Sequence, residues 1–277
     1  MTNSDDTGPG SEGGFDMNDP ELNRHPQTGY RMLRDSGPVV RLPGMIPSRA
    51  NADAHLVGRH ADVVTVLRNP EIFSSEFNAV HIGQIRPLIP LQIDPPDHAK
   101  YRKLLDPLFA PRRIALLEDR TRALASNLVE AVANDGGCNY HTAVSEPLPS
   151  TVFLELLGLP VSRATEFIAL KDSIIRPPAR TPEERSAMID TAGAEIYAVL
   201  QEVIDERLEA PQDDFISGFL DAEVDGERLT PEEVVDICYL FFLAGLDTVT
   251  ASLDCMMARL AFHPDERDRL VANSSVI

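Results

Sequence analysis

The pair Asp247-Thr248 lies inside an apolar stretch, YLFFLAGLDTVTASL, that runs from Tyr239 to Leu253. A hydroxyl beside a carboxylate can deliver protons to a small molecule held against them. Thr248 falls four residues after Ala244. In a helix its hydroxyl therefore reaches back to the Ala244 carbonyl, which tends to bend or open the helix there. Ala244 and Gly245 remove side chain from one face, so the backbone there admits either a bulky ligand or a close helix crossing. A second group is His98 and Arg102, spaced i, i+4 on one helix face. Two donors on one face make an anion clamp, and the arginine fork suits a carboxylate. The same spacing also occurs on an ordinary solvated face. Lys100, Lys103, Arg112 and Arg113 add a basic patch nearby.

The elements that must position these groups are mostly helices. Thr230 and Glu233 match a capping box with Pro231 at the first helical position, and His263-Pro264 ends the segment. That predicts a helix over 230–262 with Asp247 and Thr248 near its middle. DPPDHAKYRKLLDPLF predicts a helix with Asp94 as N-cap and carries His98 and Arg102. PRRIALLEDRTRALASNLVEAVANDGG reads as one helix ending at Gly136-Gly137. SRATEFIALKDSII and TPEERSAMIDTAGAEIYAVLQEVIDERLEA read as a helix pair joined by the loop RPPAR. PVVRL and AHLVG are short strand signals, and residues 78–96 form a loop too apolar to lie free in solvent. The fold class expected is mainly α with a minor sheet. Residues 1–20, rich in Gly, Ser and Asp, are expected to be disordered.

The chain has 277 residues, 43% of them hydrophobic, enough to build a large core. A net charge of −19 argues against a general binder of nucleic acid or anionic membrane. Cys138, Cys238 and Cys255 form no CxxC and no even set, which fits a reducing compartment. The start is polar, without a signal-peptide pattern, and no run of about 18 uncharged apolar residues is present. A cytoplasmic location without membrane or nucleic-acid partners is expected.

DPPDHAKYRKLLDPLFAP resembles the C-helix signature of cytochrome P-450 enzymes, and FFLAGLDTVTASL resembles their I-helix oxygen-binding motif. LVGRHADVVTVLRNPEIFSS, LELLGLP, DDFISGFLDAEVDGERLTPEEV and LAFHPDERDRL fit the same family in order and spacing, so the likeness covers residues 21–277. The resemblance implies a cytochrome P-450 fold of the soluble bacterial type, with a long central I helix and a small sheet near the N-terminus. It implies a haem-thiolate monooxygenase that inserts one oxygen atom from O2 into an apolar organic substrate, drawing electrons from a ferredoxin-type or other redox partner. It places haem b against Ala244 and Gly245, with Phe109 and Thr248 also at the cofactor and with His98 and Arg102 on its propionates. Asp247 and Thr248 would carry protons. Lys100, Lys103, Arg112 and Arg113 would face the redox partner, and a monomer is expected. The substrate pocket would be lined by Val80, Ile82, Ile85, Leu88, Ile89 and Ile93, by Phe167, Leu170 and Ile174, and by Phe242, Leu243 and Leu246.

The likeness stops before the family's K helix, whose Glu-x-x-Arg precedes the cysteine loop that ligates iron. The chain reads as the N-terminal two-thirds of such an enzyme, with the iron ligand beyond Ile277 and none within it. Glu266 and Arg269 read Glu-x-x-Arg, but they follow His263-Pro264 directly and are expected to be a surface pair. Cys138, in DGGCNYH, lacks the ligand motif, and Cys238 and Cys255 are expected as buried small hydrophobes. The alternative is a truncated haem-free product acting as a binding or interaction module without catalysis. A peroxygenase is disfavoured, because peroxide use does not need the Asp247-Thr248 pair.

Overall fold

The computed structural model describes residues 22, 24–46, 52–76, 82–273 and 275. They fall in two compact units, Met1–Val80 and His81–Ile277.

The first unit contains helix α1 (Pro26–Ser36), strands β1 (Val39–Ile46) and β2 (Ala52–Val57), and helix α2 (His60–Leu67). The strands pair antiparallel with Val40 opposite Leu56 and Leu42 opposite Ala54. Alternation turns Val40 and Leu42 inward, where Leu22, Leu33, Ala54 and Leu56 pack on them.

The second unit is helical. It holds α3 (Asp97–Leu105), α4 (Pro111–Ile114), α5 (Glu118–Val132), α6 (Pro147–Leu157), α7 (Ala164–Ile175) and α8 (Pro182–Glu209). These are followed by α9 (Phe215–Asp221), a hairpin of β3 (Glu223–Val224) and β4 (Glu227–Arg228), α10 (Pro231–Phe262) and α11 (Pro264–Ala272). The C-helix segment starts later than its sequence predicts. Pro96, not Asp94, precedes the first turn of α3, because residues followed by proline are steered out of the helical region. The segment after Pro111 is broken rather than continuous: a 3-10 turn at Ala115–Leu117 separates α4 from α5.

Helix α10 is the axis of this unit. Thr230 accepts from the Glu233 N–H and the Glu233 carboxylate accepts from the Thr230 N–H, so the capping box is present. Every residue from Val234 to Tyr239 is buried, which requires neighbours on all sides; α6, α7, α8 and α9 pack around it. By length and composition alone α10 could cross a membrane, but 56% of its most apolar stretch is buried in the protein, which marks a core helix. Asp236 is the one charge in its buried run. It accepts from Arg86 at 2.7 Å and from the Tyr197 hydroxyl at 3.3 Å. Burial pushes the Asp236 carboxyl up, and the Arg86 guanidinium opposes that push. With Tyr239 donating to the Ile82 carbonyl, this network fastens the loop at 82–86 to α8 and α10.

Candidate active site on the central helix

The buried character of α10 changes at Ala244. Ala244 and Thr248 are exposed, and Val249 is 49% exposed. The Thr248 hydroxyl donates to the Ala244 carbonyl at 2.7 Å, the back-bond that the spacing predicts. Ser252 repeats it on the Thr248 carbonyl at 2.9 Å. These small residues and hydroxyls form an open strip on the second half of the helix.

The close approach foreseen at Gly245 is made by protein. A Cβ there would run into the ring of Phe153 from α6. Gly245 is thus met by a helix crossing, and Ala244 is the member of the pair that lies on the open strip. Phe109 also packs against protein. It is half-buried, and its ring stacks on Phe241 at 5.4 Å and meets Phe215 edge-on at 4.8 Å, so the contacts it makes are packing contacts.

Asp247 is held by cations from α7 and the residue after it. Arg176 donates to its two oxygens at 2.7 and 3.1 Å, and Lys171 approaches at 3.3 Å. Lys171 is buried and also pairs with Asp172 at 2.7 Å. Burial pushes the Asp247 carboxyl up, but the Arg176 hydrogen bonds and charge, with those of Lys171, outweigh it and hold Asp247 below the usual carboxylate range. Consecutive residues leave a helix about 100° apart. Asp247 therefore points to α7 while Thr248 lies on the open strip. The sequence reading missed Lys171 and Arg176. A signal was present: a lysine inside FIALKDSII is a charge in an apolar run, and such a charge needs a partner.

The basic groups on α3 are laid out less tightly. His98 is half-buried, and Arg102 pairs with Asp106 at 2.7 Å with both side chains more than half exposed. Such a surface pair is weak and can yield to a ligand. Lys100 pairs with Glu227 at 2.7 Å, whereas Lys103, Arg112 and Arg113 are exposed.

Most of the foreseen pocket lining is core. Leu88, Phe167, Ile174, Phe242 and Leu246 are at most 1% exposed, so no water-sized space adjoins them. Ile89, Leu170 and Leu243 are also buried, Ile82 and Ile93 are half-buried against that core, and Ile85 is 67% exposed. Val80 lies outside the described residues. The physical reason is helical phase: Phe242 and Leu246 share the face of α10 turned to α7, and Phe242 meets Phe167 edge-on at 5.8 Å. Counting back from Thr248 by four and by seven or eight gives Ala244, Phe241 and Leu240, none of which is fully buried; that periodicity was the available signal.

Cys238 is fully buried, and burial pushes its thiol far up, which removes it as a thiolate. Cys255, expected inside, is exposed because it falls on the open half of α10. Glu266 does not pair with Arg269; it accepts from Arg259, at the end of α10, at 2.8 Å.

The site thus combines an alcohol on an open strip of small residues, an acid anchored beside it against α7, and cations on a separate helix. The comparisons identify the family. Residues 161–277 match the cytochrome P-450 family. The chain is 32% identical over 254 residues to the probable cytochrome P-450 127A1 of Sinorhizobium fredii, covering 91% of this chain and 59% of that protein. It is 30% identical over 258 residues to cytochrome P-450 130 of Mycobacterium tuberculosis, covering 89% and 62%. The solved structure of CYP109Q5 from Chondromyces apiculatus superimposes with a TM-score of 0.79 at 31% identity, covering 93% of this chain and 64% of that one. The chain belongs to the cytochrome P-450 superfamily and spans about three-fifths of the length of these relatives.

Proposed function

We propose that the chain is the distal portion of a haem-thiolate monooxygenase that acts on an apolar small molecule. The observation that carries this reading is the open strip of Ala244 and Thr248 beside an Asp247 held ionised by Arg176 and Lys171. Haem b, when bound, would supply dioxygen activation. The residues present fit such a group. Ala244 leaves room on the strip, the Thr248 hydroxyl stands on the same strip, and Arg102 has only an exposed pair to exchange for a propionate. His98, four residues earlier on α3, would be the second propionate donor.

In this reading Thr248 keeps its own proton on the Ala244 carbonyl and offers its oxygen as an acceptor, which orders water at the strip. Asp247, ionised, accepts protons and passes them on when Arg176 loosens its grip. Electrons would come from an acidic, ferredoxin-type partner docking on Lys103, Arg112 and Arg113, with Lys100 joining if it leaves Glu227. We infer a cytoplasmic monomer.

In the full-length protein, Thr248→Ala should uncouple turnover, so that product formed per NAD(P)H consumed falls while consumption continues. An unchanged ratio removes the proton-delivery role. For residues 1–277 alone, the carbon-monoxide difference spectrum of the reduced protein should show no thiolate-type band. Such a band would mean that Cys138 or Cys255 ligates iron.

A further inference from the structure

On the flank of α10 that carries Asp247 lies a cavity of about 410 Å³ walled by polar groups from three elements. One end holds Asp247 with Lys171, Asp172 and Arg176. The other holds His141, Glu146 and Asp254. Asp254 lies seven residues after Asp247, two helical turns along the same face, with Thr250 and the small Ala251 between them on the cavity wall. His141 belongs to a π-helical turn, His141–Ser145, that packs on α10. Its Nδ1 lies 2.8 Å from Asp254 and its Nε2 3.6 Å from Glu146, while Ser145 donates to the other Asp254 oxygen. The His141 side chain is 47% exposed, against 18% for Asp247. The cluster thus links solvent to the anchored acid through a space large and polar enough for water.

Accepting the proton-delivery role proposed above for Asp247, we propose that His141 and Asp254 are the outer station of the same relay, taking protons from solvent and passing them through this cavity to Asp247. Asp247 is held ionised, so it stores no proton near neutral pH and has to be supplied. Asp254 is likewise held below the usual carboxylate range, first by the Ser145 hydrogen bond and then by His141. An imidazole can accept a proton at one ring nitrogen and donate from the other, so it can pass a proton between two partners. His141 is the only one on this wall, facing Asp254 on α10, Glu146 before α6, and Lys171, Asp172 and Arg176 across the cavity. The proton balance is closed: each proton passed inward leaves His141 neutral and is replaced from bulk water. Acting through Asp247, His141 is a positioning residue rather than a catalytic one.

The test uses the full-length haem protein. His141→Gln keeps the ring's size and polarity roughly but carries no proton. Product formed per NAD(P)H should fall by roughly tenfold, less than the ~10²–10⁴ of a direct general acid because water can still enter the cavity. The solvent deuterium isotope effect on product formation should rise, which a variant that only loosens packing would not cause. Asp254→Asn should lower the ratio comparably, and the double variant should be no worse than either single one, because links in series are not additive. Melting temperature and the carbon-monoxide spectrum, measured alongside, identify a variant that merely fails to fold; Asp254→Asn then carries the test alone. If Thr248→Ala uncouples turnover but both outer variants keep the wild-type ratio and isotope effect, the outer station is wrong and the inner relay stands. If Thr248→Ala is itself silent, the underlying reading fails.

Discussion

The two halves of α10 share one backbone, yet they live in different surroundings. From Val234 to Leu243 the helix is enclosed by α6, α7, α8 and α9, and even Asp236 is buried with counter-partners. From Ala244 to Phe262 one face is open, with Met256 61% and Phe262 83% exposed. What separates them is whether a second layer of side chains arrives, and the crossing of Phe153 over Gly245 marks the boundary. An apolar helix can thus be packed on all sides over one stretch and open on one face over the next, with small residues and hydroxyls marking the change.

The contrast breaks most easily at its buried end. Phe242→Ala should cost about 3–5 kcal/mol of stability, whereas Met256→Ala in the same chain should stay within about 0.5 kcal/mol. Equal costs, measured by denaturant unfolding, would erase the distinction. The cofactor side proposed for the open half is probed from α3, by Arg102→Ala in the full-length protein. Losing a charge-assisted partner for a buried propionate should weaken haem retention by about 1.5–3 kcal/mol. Wild-type haem occupancy and melting temperature would return Arg102 to its surface pair with Asp106.

The boundary itself is tested by Gly245→Ala. The new methyl must displace the Phe153 ring, at a cost of about 1–3 kcal/mol, and adding Phe153→Ala should recover part of it. A neutral Gly245→Ala would mean that α6 does not cross where it is placed. The smallest effect concerns the exposed cations of α3 and α4. Reversing Lys103 and Arg112 should slow reduction by the electron donor, and added salt should slow the wild type as well. Stopped-flow rates insensitive to both would remove this surface from partner docking.

Much of the fold was legible in the sequence because its signals are local. The capping box at Thr230, Pro231 at the helix start and the Thr248-to-Ala244 back-bond depend on residues within one turn of each other, and all are found. The motif around Asp247-Thr248 could likewise be picked out by residue type and spacing. Tertiary structure alone decided the rest. The side of α10 on which Phe242 and Leu246 lie depends on where α7 packs. The occupant of the gap at Gly245 depends on Phe153, 92 positions away by subtraction of the two residue numbers. The cations that hold Asp247 and the histidine that meets Asp254 come from segments 71 and 113 positions distant. Hydrogen bonds within a turn are written into the chain, but burial, counter-charges and cavities are properties of neighbours that only folding brings together.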